Sequence, residues 1–112
     1  MKACRKGWFF RGMTAMIRVV VVEDDRDFIY LIETMLGKEE DIDVIGSYDK
    51  EISGELPADF LRADLVIMDL NLSNDREGKE SGMRMARKIR SRTDARILIL
   101  TGYEDPETIL NA

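Results

Sequence analysis

Histidine is absent from this 112-residue sequence. That absence removes imidazole general bases, catalytic triads and histidine–zinc sites together. A single cysteine, Cys4, excludes an internal disulfide. With no secretory signal in view, it points to a reducing, cytoplasmic setting. The basic start is followed by Trp8-Phe9-Phe10, which is too short for a signal-peptide apolar core and is interrupted by Arg11. No apolar run approaches the ~20 residues needed to cross a bilayer. No repeat or low-complexity segment is visible.

What is present is charge, and it is unevenly spread. Residues 1–16 carry Lys2, Arg5, Lys6 and Arg11 and no acid, so a net charge of −5 leaves −9 on residues 17–112. An acidic body argues against direct nucleic-acid binding and is compatible with a cation or a basic partner. Residues 1–16 read as a basic extension, disordered or loosely docked. Residues 17–112 read as one domain, and a 45% hydrophobic share is enough for a core.

The pattern of elements is regular. Ile17 to Val22 reads as a buried strand. A helix follows, capped by Asp25 or Asp27, with Phe28, Leu31, Ile32, Met35 and Leu36 as its core-facing stripe and Gly37 as its stop. Strand two is Asp43 to Ser47. Gly54 and Pro57 break the next window and leave a short helix from about Pro57 to Arg62. Strand three is Asp64 to Leu70, followed by a polar loop from Asn71 to Ser81. A third helix runs from Ser81 or Gly82 to about Ser91, with Met83, Ala86 and Ile89 inside and Arg84, Arg87, Lys88, Arg90 and Arg92 on a solvated outer face. Met35, Met83 and Met85 read as core filler. Strand four is Arg96 to Leu100, and Asp105-Pro106-Glu107 opens a fourth helix. Alternating strands and helices with short connections imply a doubly wound parallel sheet covered on both faces.

The chemistry lies at the strand ends. Val19-Val20-Val21-Val22 runs into Glu23-Asp24-Asp25, Leu65-Val66-Ile67-Met68 into Asp69, and Ile97-Leu98-Ile99-Leu100 into Thr101-Gly102. Open α/β sheets place ligands at the carboxyl ends of their strands, at the switch in strand order. Carboxylates ~4 Å apart repel by ~4 kcal/mol at an effective dielectric of ~20, so such a cluster protonates in part or recruits a cation. An all-oxygen set with open water positions suits Mg²⁺. A carboxylate can also be the nucleophile that accepts a phosphoryl group.

These segments, taken in order, resemble the receiver domain of bacterial two-component response regulators. The resemblance covers residues 17–112. It implies a flavodoxin-like doubly wound parallel sheet of order 2-1-3-4(-5), with the fifth strand missing from this chain. It makes Asp69 the phosphoacceptor and Glu23 and Asp24, with Asp69, the acidic Mg²⁺ ligands. The Asn71 main-chain carbonyl is a further ligand, and Thr101 is the switch hydroxyl beside small Gly102. Three features depart from the family. The loop after Asp69 is longer, with Ser73 where proline is usual. The second helix is interrupted. No lysine follows Lys88, so the family's phosphate-pairing lysine is absent. The expectation is a chain that is C-terminally incomplete, with strand four as an apolar edge prone to pairing.

The function implied is a phosphoacceptor signalling module rather than an enzyme. It takes a phosphoryl group from a histidine kinase or phosphotransfer protein and passes its state to an output domain or partner, a DNA-binding domain beyond Ala112 being one candidate. Neither membrane nor nucleic acid is bound by the domain itself. A pseudo-receiver that binds partners without phosphorylation is the alternative. An aspartate-nucleophile phosphatase fits less well, because Asn71 stands where those enzymes carry a second acid and the chain is too short for a substrate cap.

Overall fold

The computed structural model describes residues 16–70, 72 and 78–100. Within them the chain order is β1 (Ile17–Val22), α1 (Arg26–Leu36), β2 (Ile42–Tyr48), α2 (Ala58–Arg62), β3 (Leu65–Asp69), α3 (Gly78–Arg92) and β4 (Arg96–Leu100). All pairings are parallel, and the strand order is β2-β1-β3-β4. This is the flavodoxin-like order read from the sequence, with the switch between β1 and β3. Residues 1–15 of the basic extension expected over 1–16, and the helix expected from Asp105, lie outside the described residues.

β1 is buried on both faces, as a central parallel strand requires. Val20 and Val22 point into one core with Phe60, Met68, Met85 and Ile89. Val19 and Val21 point into the other with Ile29, Ile32 and Ile67. The strand's period of two thus divides one valine run between two cores. α2 and α3 contribute to the first core and α1 to the second.

Asp25, not Asp27, caps α1. Its carboxylate accepts from the backbone N–H groups of Asp27 at 3.0 Å and Phe28 at 3.3 Å, while Asp27 sits in the positive first turn. Asp25→Ala is expected to cost about 1 kcal/mol of stability, the usual value of an N-cap. Urea unfolding measures it, and an unchanged midpoint would show that the cap contributes nothing.

The α1 stripe differs from the periodicity. Ile29 and Ile32 are buried, with Phe28 and Leu36 packed beside them, but Leu31 is 49% and Met35 58% exposed. The apolar arc of this helix is wider than the face the sheet covers. The sheet takes the side centred on Ile29 and Ile32 and leaves Leu31 and Met35 at the flank. In α3, likewise, Met85 is fully buried whereas Met83 is only half-buried. The inward spacing is Gly82, Met85, Ala86 and Ile89, one face of a 3.6-residue helix.

Other bounds move by small amounts. β2 is one residue longer at each end than Asp43 to Ser47. Pro57 stands just before α2 as its cap residue, with φ −58° and ψ 155°. β3 stops short of both Asp64 and Leu70. Asp64 instead exchanges bonds with β1: its carboxylate accepts from Arg18 N–H at 2.8 Å, and its own N–H donates to Arg18 O at 2.8 Å. α3 begins at Gly78, a turn earlier than Ser81 or Gly82. Its outer face is not wholly solvated. The Arg84 guanidinium forks onto Glu51 at 2.8 and 2.9 Å, and Lys88 Nζ donates to Ile52 O at 2.6 Å and Gly54 O at 2.9 Å. α3 therefore grips the loop that joins β2 to α2.

Candidate metal centre

The register of β1 against β3 assembles the site. Val22 pairs with Met68, so the next residues outward are Glu23 and Asp69, on strands adjacent in the sheet. Neighbouring strands are ~4.8 Å apart, which leaves two carboxylates at matching ends no room to avoid each other. Glu23 is held in line with the sheet by its N–H, which donates to Tyr48 O at 3.0 Å. The chain then turns, and the Asp25 N–H donates to Glu23 Oε1 at 3.2 Å. Asp24 is thereby aimed at the same point while Asp25 is drawn into the cap.

Glu23, Asp24 and Asp69 each offer a carboxylate oxygen, and these atoms all lie within 4.8 Å of one another. Glu23 is buried, whereas Asp24 and Asp69 are half-buried. The group can hold a divalent cation. Its donors are hard oxygens, they carry excess negative charge, and the two half-buried members leave positions open to water. Of the expected site residues, the structure brings these three together. Asn71 and Thr101 lie outside the described residues, although Leu100, next to Thr101 in sequence, is registered against Asp69.

Burial pushes the Glu23 carboxyl up to about 8, with a hydrogen bond to Asp69 as the next cause, the Asp25 N–H pulling the other way, and Asp24 and the Asp69 charge adding to the rise. A carboxyl raised in the folded state binds more protons there than in the unfolded chain. Its stabilising contribution is therefore present below about 4.5 and is lost as the pH climbs through about 8. The metal-free protein should lose melting temperature across that window relative to Glu23→Gln. Saturating Mg²⁺ should remove the loss, because the bound ion takes the ionised form. Parallel melting curves for the two proteins without metal would rule out Glu23 as the titrating group.

Two features were not legible beforehand. Gly82, read only as a possible helix start, faces inward against the chain beside Asp69; a glycine at an inward position of an apolar helical stripe is the signal that marks a close approach. A groove of about 550 Å³ lies between α1 and the end of β2, lined by Arg26, Ile29, Tyr30, Ser47, Tyr48 and Ile52 among others. None of the three carboxylates lines it, so it is separate from the metal centre. Among the described residues, no helix is long and apolar enough to cross a membrane.

The family described as response regulator receiver domain matches residues 19–112. Protein-glutamate methylesterase/protein-glutamine glutaminase 2 of Methanospirillum hungatei JF-1 is 32% identical over 94 residues, which are 84% of this chain and 25% of that protein. The chain thus spans about a quarter of the length of the curated relative it matches. Among solved structures, the signal receiver domain of the response regulator NarL from Mycobacterium tuberculosis is similar with a TM-score of 0.62 at 20% identity, over 85% of this chain and 73% of that one. The response regulator RcsB, in complex with DNA, gives 0.69 at 23% identity, over 87% and 49%. At such identities the structural likeness speaks for the fold.

Proposed function

The chain belongs to the response regulator receiver domain family, and from that membership we propose that it is the phosphoacceptor of a two-component relay, receiving a phosphoryl group on Asp69 with Mg²⁺ held by Glu23, Asp24 and Asp69. As a receiver domain the matched stretch is a regulatory module and not an enzyme in the ordinary sense. The observation that carries the proposal is the convergence of three carboxylates, their ligand atoms within 4.8 Å, at the ends of β1 and β3.

Their environments divide the roles. Glu23 is buried, so it serves as a ligand and cannot reach a donor. Asp69 is half-buried at the strand end and presents an oxygen to an incoming phosphorus. That oxygen forms the new P–O bond as the bond from phosphorus to the donor's nitrogen or oxygen breaks, leaving a mixed acyl phosphate. When bound, Mg²⁺ neutralises charge on the phosphoryl oxygens and on the carboxylates around them. Asp24 keeps its place because Asp25 takes the cap. The Asn71 carbonyl completes the ligand set, and the Thr101 hydroxyl donates to a phosphoryl oxygen and reads the modified state.

The donor is a histidine kinase or phosphotransfer protein. The recipient of the signal is an output domain or partner. The cytoplasm is the compartment where such a relay and a lone reduced cysteine fit together.

The test is incubation with acetyl phosphate and Mg²⁺, followed by intact mass and peptide mapping. One phosphoryl group, mapped to Asp69 and absent without Mg²⁺, is the expected result. A folded protein that binds Mg²⁺ and takes no phosphoryl group would mean a pseudo-receiver.

A further inference from the structure

We propose that Gly82 is a positioning residue for phosphoryl acceptance at Asp69. The inference rests on the phosphoacceptor reading above and adds to it a residue outside the acidic cluster. Gly82 lies in α3, buried against the end of β3. Its N–H donates to Leu70 O at 3.1 Å. A Cβ at position 82 would fall on the carbonyl oxygen, Cα and carbonyl carbon of Leu70, far inside van der Waals contact, and all three are backbone atoms. Leu70 is the residue bonded to Asp69. Helix and strand end thus meet backbone to backbone at one peptide from the nucleophile, which only a residue without a side chain permits.

Whether an added methyl would move the helix or the strand end is decided by what holds each. α3 is anchored in the turns that follow Gly82. Met85 and Ile89 are fully buried, Arg84 forks onto Glu51, and Lys88 is tied to two carbonyls of the β2–α2 loop. Leu70 has a buried side chain, but its backbone lies one residue beyond β3, past the last paired position at Asp69, and has no ladder bonds among the described residues to hold it. The strand end therefore yields first, and the displacement passes through the Leu70 peptide to Asp69. Transfer to phosphorus needs the attacking oxygen in line and close, and a shift of about 1 Å in such geometry can cost about a hundredfold in rate. The Leu70–Gly82 contact is the stop that sets how far Asp69 projects toward the donor.

The experiment measures the rate of Asp69 phosphorylation by acetyl phosphate at saturating Mg²⁺, together with the melting temperature, in wild type, Gly82→Ala and Ile89→Val. Ile89→Val loosens the same helix by one buried methyl and leaves Leu70 untouched. The expected result is a drop of about tenfold or more in Gly82→Ala, with Ile89→Val at the wild-type rate although its melting temperature falls. Should Gly82→Ala fail to fold, replacing residue 82 with glycolate by semisynthesis removes the N–H donated to Leu70 and adds no atom; a several-fold loss of rate there supports the proposal. A folded Gly82→Ala, or failing that a glycolate protein, that accepts phosphate at the wild-type rate overturns the positioning role alone. A wild-type protein that takes no phosphoryl group overturns the phosphoacceptor reading and this proposal with it.

Discussion

Asp69→Asn is expected to abolish phosphoryl labelling and to leave the fold intact. Asp69 stands at the end of a strand whose preceding three residues are all buried, so the strand's place in the sheet rests on their packing and not on the Asp69 carboxylate. The amide is nearly the same size and removes one negative charge from a crowded trio. It also removes the charge that helps raise the Glu23 carboxyl, so the variant should melt at or above the wild-type temperature near neutral pH. What it cannot do is supply an anionic oxygen to phosphorus. Intact mass after acetyl phosphate and Mg²⁺ checks the loss, and calorimetric melting checks the fold. A variant labelled at the same site and rate as wild type would falsify the assignment. Labelling that moves to Asp24 would place the nucleophile on β1's side of the site.

The site was more legible in the sequence than the packing around it, for a physical reason. A parallel strand buried on both faces must be a continuous apolar run, so its end is marked by the first acid. Val22-Glu23 and Met68-Asp69 are two such marks, and the crossover rule brings them side by side. Helical faces carry less information. The apolar residues of α1 span an arc that includes Leu31 and Met35, and only tertiary contact selects Ile29 and Ile32 as the buried pair. The same holds for Met85 over Met83 in α3. Least legible were the contacts of charged groups. Arg84 and Lys88 have the spacing of a solvated face, yet both find acceptors in a loop more than 30 residues away. Nothing local encodes such a partner, because it exists only once α2 and α3 are packed on one face of the sheet that contains β2. Gly82 falls between these cases. Its inward position is readable from periodicity, but the backbone it meets is not.

Asp24→Ala should weaken Mg²⁺ binding roughly 30-fold, and Asp25→Ala should weaken it by less than about threefold. The two residues are adjacent and chemically identical, so the contrast isolates geometry. The Asp24 carboxylate is within 4.8 Å of both Glu23 and Asp69. A unit charge ~4 Å from a divalent ion is worth about 2 kcal/mol even at the dielectric of water, and that figure is the half-exposed limit suited to Asp24. Each 1.4 kcal/mol is about tenfold in affinity. Asp25 carries the same charge but spends it on the first turn of α1, where its oxygen accepts from two backbone N–H groups. Its remaining effect on the ion is long-range and screened over ~10 Å at moderate salt. Isothermal titration at fixed ionic strength gives both affinities. Denaturant unfolding of the same proteins should reverse the order, with Asp25→Ala the more destabilised in the absence of metal, since it loses a cap while Asp24→Ala relieves repulsion. If Asp25→Ala proves the weaker Mg²⁺ binder, the acid run is engaged one residue further along than the hydrogen bonds of α1 imply, and Asp24 is the spectator.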